Sequence, residues 1–220
     1  MRLALFDLDH TLLSGDSDVL WCDFLMNEGV LDRGSFAARN AQMEADYKAG
    51  SVDAQAFASF YVSTLAGRTP AEWQPLRERF LHEVVAPRIP TDAHALVREH
   101  QRAGDTVVMT TATNRFITEL TAQHFRIEHL IATECELRDG VFSGRTEGVL
   151  NMREGKVHRL HAWLAARGQQ LDVFESTAYS DSINDLPLLS AVRRAVAVDP
   201  DARLRQEAMQ RGWQILELVR

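Results

Sequence analysis

The sequence predicts an α/β protein with a three-layer, Rossmann-like core around a parallel sheet and an inserted α-helical cap subdomain. Short apolar runs at 3–6, 106–110 and 177–180 alternate with segments of helical periodicity, as in parallel strands joined by right-handed helical crossovers. The stretch 16–88 interrupts this alternation, because its apolar residues recur only at helical spacing. We therefore divide the chain into a core, 1–15 and 89–220, and a helical cap, 16–88.

Local signals define the elements in chain order. Within the insert, Thr69-Pro70-Ala71-Glu72 predicts a helix start, with a capping residue, a proline at the first position and an acid in the first turn. Thr91 or Asp92 is expected to cap the next helix, which stops at Gly104. Further strands are predicted at 130–133, 195–198 and 213–216, with a hairpin at Asp139-Gly140 and helices at about 114–124, 154–166 and from 200.

Composition narrows the classes of function. The 220 residues are 45% apolar and 25% charged, as in a soluble globular protein, and the net charge is −7. An acidic balance argues against nucleic-acid or anionic-membrane binding. The amino-terminal apolar run is cut at Asp7 and Asp9, no segment reaches transmembrane length, and Cys22 and Cys135 form no zinc-type pair. We expect a cytoplasmic protein with reduced thiols.

Polar residues follow the buried strands at the edge where ligands bind in open α/β sheets. The first strand delivers Asp7 and Asp9, and the second ends in a run of threonines. The strand at 177–180 runs into Asp181, and Lys156 stands at the start of the preceding helix. The topology therefore predicts that carboxylates, hydroxyls and one ammonium group meet at one edge.

This set suits phosphoryl transfer. Clustered carboxylates would repel a dianionic phosphoryl group. The same oxygen ligands select Mg²⁺, whose positive charge offsets this repulsion. Asp7 and Asp181 can each supply a ligand oxygen, and Lys156 a second positive charge. Backbone amides and a hydroxyl after the second strand can hold phosphoryl oxygens. Asp7 can then attack phosphorus, while Asp9 protonates the leaving alcohol and later activates water.

Each feature alone has a simpler structural explanation. An Asp-x-Asp after a strand is commonly a polar turn, a single lysine is commonly solvated, and Asp181 could cap a helix. Their joint occurrence, in this order and each after the appropriate element, favours a catalytic site.

Four motifs resemble those of the haloacid-dehalogenase superfamily of phosphatases. They are Asp7-Leu8-Asp9-His10-Thr11, Val107-Val108-Met109-Thr110-Thr111, Lys156, and Asp181-Ser182-Ile183-Asn184-Asp185. The insert after the first motif and the run Glu154-Gly155-Lys156-Val157 are similar to the phosphoserine-phosphatase-like subgroup, subfamily IB, which has a small helical cap. The resemblance implies a magnesium-dependent phosphatase of small phosphorylated metabolites.

The resemblance also implies a role for each matching residue. Asp7 would be the nucleophile, Asp9 the general acid and base, and Lys156 the cation that neutralises the phosphoryl group. Asp7, the Asp9 carbonyl and Asp181 would ligate Mg²⁺, and Asp185 would hold metal-bound water. Binding of phosphate and substrate would fall to Thr111, Ala112 and Asn184, and to Asp16, which matches an acidic cap residue that binds a substrate amine.

Some positions depart from the subgroup pattern. His10 stands where a small residue is common and has no assigned role, and Ser180 replaces a frequent glycine. Thr111-Ala112-Thr113 replaces the Ser-Gly-Gly of phosphoserine phosphatases, which points to another small, amine-bearing phosphomonoester, with histidinol phosphate a candidate by family analogy. A phosphotransferase on the same fold and a non-catalytic phosphate-binding module are the alternatives.

Overall fold

A seven-stranded sheet forms the centre of the computed structural model, which describes residues 1–219 without the side chain at position 48. Its strands are Arg2–Phe6 (β1), Thr106–Asn114 (β2), His129–Arg138 (β3), Val141–Glu147 (β4), Glu175–Ser180 (β5), Arg194–Val198 (β6) and Gln214–Leu216 (β7). The spatial order is β4-β3-β2-β1-β5-β6-β7, and only β3 with β4 is antiparallel. Because β1 is central, Asp7 lies in the middle of the carboxyl edge.

Helices cover both faces of this sheet, which confirms the predicted three-layer α/β class. The helices are Ser17–Asn27 (α1), Arg33–Ala49 (α2), Ala54–Ser63 (α3), Pro70–Arg79 (α4), Thr91–Arg102 (α5), Arg115–His124 (α6), Glu154–Ala165 (α7), Leu186–Ala191 (α8) and Ala202–Arg211 (α9). Along β1, Ala4 and Phe6 pack with α5 and α6, whereas Leu3 and Leu5 pack with α7, α8 and α9. The pleat thus sends alternate side chains into two apolar layers.

Helices α1 to α4 lie between β1 and α5, in the predicted insert. A π-helix, Phe80–Val85, continues α4, and a 3-10 turn, Ala86–Arg88, leads back to the core. The insert contacts the β3–β4 hairpin: the Gly67 amide donates to the Phe142 carbonyl at 2.9 Å, and the Phe142 amide donates to the Arg68 carbonyl at 3.0 Å. The division of the chain at 16–88 stays a prediction.

Local capping was predicted in part. Thr69 begins α4 with a full capping box, in which its amide donates to Glu72 Oε2 at 2.8 Å. The predicted cap of α5 is wrong, because Pro90 occupies the capping position and no side chain caps the helix. Asp92 Oδ2 instead accepts a bond from the amide of Val219. Of the helices in the described residues, none has the length and apolar character needed to cross a membrane.

Candidate active site

A buried ion cluster lies where β1 and β5 end. Lys156 Nζ donates to Asp7 Oδ1 at 2.7 Å and to Asp185 Oδ2 at 2.6 Å. Ser180 Oγ donates to the same Asp185 oxygen at 2.8 Å. The three charged residues are 2 to 6% exposed, so solvent screens their interactions weakly. The structure therefore brings the predicted nucleophile and the predicted phosphate-neutralising lysine into direct contact.

The cluster places one ammonium group, that of Lys156, between two carboxylates, those of Asp7 and Asp185. Burial raises the pKa of Asp7 to about 7, and the Asp185 and Asp9 carboxylates add to the rise while Lys156 opposes it. Burial disfavours the charge on Lys156, but the two bonded carboxylates outweigh burial and raise its pKa above the usual range. Lys156 stays protonated, whereas Asp7 needs more positive charge nearby to be fully ionised at neutral pH.

The segment that delivers Lys156 is conformationally demanding. A Cβ on Gly155 would lie 2.0 Å from the Leu150 carbonyl oxygen, so only glycine fits immediately before the lysine. Arg153 has a φ of 52°, in the left-handed region, at the start of α7. Its guanidinium donates to the Gly50 and Val52 carbonyls at 3.1 Å, and thereby joins this core segment to the insert.

Thr11 connects the two carboxylates that sequence reasoning assigned to a metal. Its Oγ1 lies 3.2 Å from Asp7 Oδ2 and 3.0 Å from Asp181 Oδ1, and it accepts a bond from the Asp181 amide at 3.0 Å. One hydroxyl proton can serve only one carboxylate at a time. Burial, followed by the charge of Asp7, raises the pKa of Asp181 well above its usual range. Of these two carboxylates Lys156 contacts Asp7 alone, so Asp181 has no cationic partner among the described residues.

These residues fit Mg²⁺. Among the described side chains, no three from His, Cys, Asp and Glu converge as a complete metal cage. The expected set contains only two carboxylates, Asp7 and Asp181, plus the Asp9 carbonyl. Mg²⁺ is commonly held by one or two carboxylates and keeps several waters, so a side-chain cage is not required. An all-oxygen set with too little positive charge suits this ion.

Asp9 is held by four donors. Its Oδ1 accepts from the Ser17 amide at 2.7 Å and from Ser17 Oγ at 2.5 Å. Its Oδ2 accepts from Thr111 Oγ1 and Thr113 Oγ1, both at 3.0 Å. Thr111, predicted to bind the phosphoryl group, thus orients Asp9 here. The contribution of Ser17 was not predicted from the sequence. Thr111 and Thr113 are two residues apart on a strand and so share a face, which was the one sequence signal that both could bond to Asp9.

The other predicted binding residues lie around this centre. Asp16 caps α1, and its Oδ1 accepts from the Asp18 and Val19 amides at 2.9 and 3.1 Å. Ala112 packs against the apolar cluster of the insert. Asn184 Oδ1 accepts a long bond, 3.4 Å, from Arg153 Nε. His10 adopts a φ of 58°, so the unusual residue of the first motif also has an unusual backbone.

Comparison with known proteins gives consistent matches along the chain. The family model for haloacid dehalogenase-like hydrolases matches residues 4–190. A histidinol-phosphatase of Neisseria meningitidis serogroup C is 40% identical over 217 residues, 98% of each chain. A phosphoserine phosphatase of Mycobacterium tuberculosis is 34% identical over 220 residues, 96% of this chain and 69% of the relative.

Solved structures agree with the fold. A Bordetella pertussis protein of unknown function superposes with a TM-score of 0.93 at 46% identity, covering 98% of this chain and 97% of its own. A phosphoserine phosphatase with a phospho-aspartyl intermediate analogue gives a TM-score of 0.70 at 16% identity, covering 98% of this chain and 92% of that one. The second match bears on the fold alone.

Proposed function

Because the chain belongs to the haloacid dehalogenase-like hydrolase family, we propose that it is a magnesium-dependent phosphatase that hydrolyses a small phosphomonoester through an aspartyl-phosphate on Asp7. The relatives named as phosphatases support the class of reaction. The observation that carries the proposal is the buried contact of 2.7 Å between Lys156 Nζ and Asp7 Oδ1. It fixes a positive charge beside the attacking carboxylate, where phosphoryl oxygens would otherwise be repelled.

The reaction needs two steps from these side chains. An Asp7 oxygen attacks phosphorus, the bond to the leaving oxygen breaks, and Asp9 gives its proton to that oxygen. Asp9, now a carboxylate, takes a proton from water as the water oxygen attacks the phosphoryl group, and the bond to Asp7 breaks. Ser17, Thr111 and Thr113 hold Asp9 in one orientation for both transfers. Lys156 neutralises the phosphoryl oxygens throughout.

Asp7, Asp181 and the Asp9 carbonyl would hold the magnesium ion, and Asp185 would orient its water. When bound, Mg²⁺ supplies positive charge opposite Lys156 and lowers the cost of bringing two anions together. The raised pKa values of Asp7 and Asp181 support this assignment, because a cation favours the ionised form of both.

The substrate class follows from the insert and the relatives. Residues 16–88 would act as a cap over the carboxyl edge, which restricts access to small esters. A relative named histidinol-phosphatase, 40% identical over 98% of both chains, supports an amine-bearing substrate. The relative named phosphoserine phosphatase keeps phosphoserine among the candidate substrates. Asp16, buried at the start of the insert, is the proposed partner of the amine.

Phosphate release from a panel of small phosphomonoesters tests this function. Wild type should release phosphate with Mg²⁺ and not with chelator, and Asp7→Asn should lower the rate by at least about a thousandfold. The exposed Asp172→Asn is the matched control and should keep wild-type activity. Activity that survives in Asp7→Asn, or in chelator, would overturn the nucleophile or the metal assignment respectively.

A further inference from the structure

Strand β2 contains a bulge directly beside the general acid. Its register with β3 shifts between Thr111 and Asn114, both of which are paired, and this leaves residues 112–113 as the bulge. Bulges next to functional sites bend a strand and redirect its side chains. Here the hydroxyls of Thr111 and Thr113, at either side of the bend, both donate to Asp9 Oδ2 at 3.0 Å. The shape of the bulge therefore decides where these two donors point.

Asn151, in the loop before α7, holds the start of the bulge. The residue is fully buried, and its Nδ2 lies 2.9 Å from the Thr111 carbonyl, 2.9 Å from the Ile131 carbonyl and 3.0 Å from Thr110 Oγ1. Three acceptors around one nitrogen fix which end of the amide faces β2. Its Oδ1 has no hydrogen-bond partner among the described residues. Because an unsatisfied buried acceptor is costly, the benefit of Asn151 lies in its N–H donors.

Thr133, on β3, holds the next residue of the bulge. Its Oγ1 donates to the Ala112 carbonyl at 2.7 Å and accepts a bond from the Asn151 backbone amide at 3.2 Å. The two side chains thus bind the consecutive carbonyls of Thr111 and Ala112, and the two residues are bonded to each other. We call Asn151 and Thr133 the bulge clamp. Both are at most 1% exposed, so bulk water does not compete for these bonds.

The bulge clamp acts on Asp9 through the backbone of the bulge. The Thr113 amide donates to Thr111 Oγ1 at 3.1 Å, so the two hydroxyls that bind Asp9 belong to one bonded unit. A shift of the bulge would move both donors together and turn the Asp9 carboxyl. That carboxyl has to face the leaving oxygen in the first step and water in the second. A displacement of about 1 Å can lower such a rate by about 100-fold.

We infer that Asn151 and Thr133 are positioning residues that orient Asp9 for proton transfer by fixing the bulge of β2. The inference rests on the proposed phosphatase function and assigns the pair to the proton transfers rather than to the attack by Asp7. In the first step Asp9 gives its proton to the leaving oxygen as the bond from that oxygen to phosphorus breaks. An alcohol needs this proton, whereas a leaving carboxylate does not. Dependence on the bulge clamp should therefore vary with the leaving group.

Steady-state kinetics with two leaving groups test this inference. One substrate is acetyl phosphate, and the other is whichever of histidinol phosphate, phosphoserine and glycerol phosphate wild type hydrolyses fastest. Thr133→Val, which keeps the side-chain shape, should lower kcat/KM for the alkyl ester by about 10- to 100-fold. The same variant should lower kcat/KM for acetyl phosphate by less than about threefold, while its kcat and KM fall together, because hydrolysis of the aspartyl-phosphate still uses Asp9.

Two further variants sharpen the comparison. Thr133→Ser keeps the hydroxyl and should stay within about threefold of wild type on both substrates. Asn151→Ala should show the pattern of Thr133→Val, with a larger loss on the alkyl ester. Thr118→Val is the matched control: Thr118 is fully buried, and its hydroxyl donates to the Asn114 carbonyl at 2.9 Å within the first turn of α6. It should lower the urea midpoint about as much as Thr133→Val but keep the wild-type ratio of the two kcat/KM values.

Equal losses on both substrates would make the bulge clamp a purely structural pair, and an unaltered ratio in Thr133→Val would overturn the inference even if Asn151→Ala does not fold. Hydrogen exchange separates the pair from the reaction. Amides of residues 111–114 should exchange at least about tenfold faster in Thr133→Val than in Thr118→Val, whether or not any ester is hydrolysed. Equal exchange would overturn the inference and leave phosphatase activity untouched. A wild type that hydrolyses neither substrate would overturn the proposed function instead.

Discussion

The two ends of the candidate site neutralise their buried carboxylates in different ways. At the phosphoryl end, Asp7 and Asp185 both bond to the ammonium of Lys156. At the leaving-group end, where Asp16 is the proposed amine partner, Asp16 and Asp18 receive amide donors, and none of the described cationic side chains pairs with either of them. Every phosphate ester brings the same anion, so a built-in cation serves all of them. The alcohol differs between esters, and under the proposed function a cationic group of the substrate would supply the charge that Asp16 lacks.

The largest effect is expected where the built-in cation is removed. Lys156→Met keeps the length of the side chain but leaves Asp7 and Asp185 buried without a partner. The free energy of unfolding should fall by about 3–5 kcal/mol, because breaking a buried pair strands the remaining charge. Urea denaturation at pH 7 measures this. Exposed Arg167→Met is the control and should fall within about 0.5 kcal/mol of wild type. A small loss in Lys156→Met would mean that the carboxylates take up protons instead.

The contribution of Asp16 to the free energy of unfolding should change with pH in the opposite direction from that of a carboxylate paired with a cation. Burial, then the charge of Asp9, raises the pKa of Asp16 from 3.8 to about 8 in the folded protein. Between these values the folded state holds a proton that the unfolded state has lost, so stability falls as pH rises from about 4 to 8. Asp16→Asn keeps the helix cap, because asparagine caps as well as aspartate.

Urea midpoints of both proteins between pH 4.5 and 8.5, in chelator, check this effect. Asp16→Asn should lose stability less steeply than wild type, and the gap between the two proteins should widen toward pH 8. Parallel curves would mean that Asp16 is ionised at all these pH values. The ion cluster around Lys156 is present in both proteins and cancels in the difference.

Much of the fold could be predicted because its elements are encoded locally. Apolar runs mark the strands, Thr69 to Glu72 carries its own capping box, and Asp139-Gly140 marks the hairpin that joins β3 to β4. The strand ends were less predictable. β2 continues to Asn114 and β3 to Arg138, beyond their apolar runs, because pairing with neighbouring strands supports residues that lack strand patterning.

The site was predictable only where a strand end carries its residue. Asp7, Asp181 and Asp185 follow strand or turn positions that the sequence marks. Ser17 bonds Asp9 from the start of an inserted helix, where no strand end marks it. Asp18 itself looks like an ordinary first-turn acid stabilised by the helix dipole. Only tertiary packing shows that it is buried and has no cationic partner among the described residues.

The smallest effect separates a buried hydroxyl that has no hydrogen-bond partner among the described residues, that of Tyr61, from one that has a partner, that of Tyr179. Tyr179 Oη lies 2.7 Å from His100 Nε2, whose other ring nitrogen contacts Asp105. Tyr179→Phe should therefore lower the free energy of unfolding by about 1 kcal/mol, since His100 loses its partner. Tyr61→Phe should not lower it and should raise it by up to about 1 kcal/mol, because an unsatisfied buried hydroxyl is removed. Urea denaturation of the two variants side by side measures the difference. Equal losses would show that the Tyr61 hydroxyl already contributes to the fold, and the contrast between the two ends of the site would then lie in Asp16 and Asp18 alone.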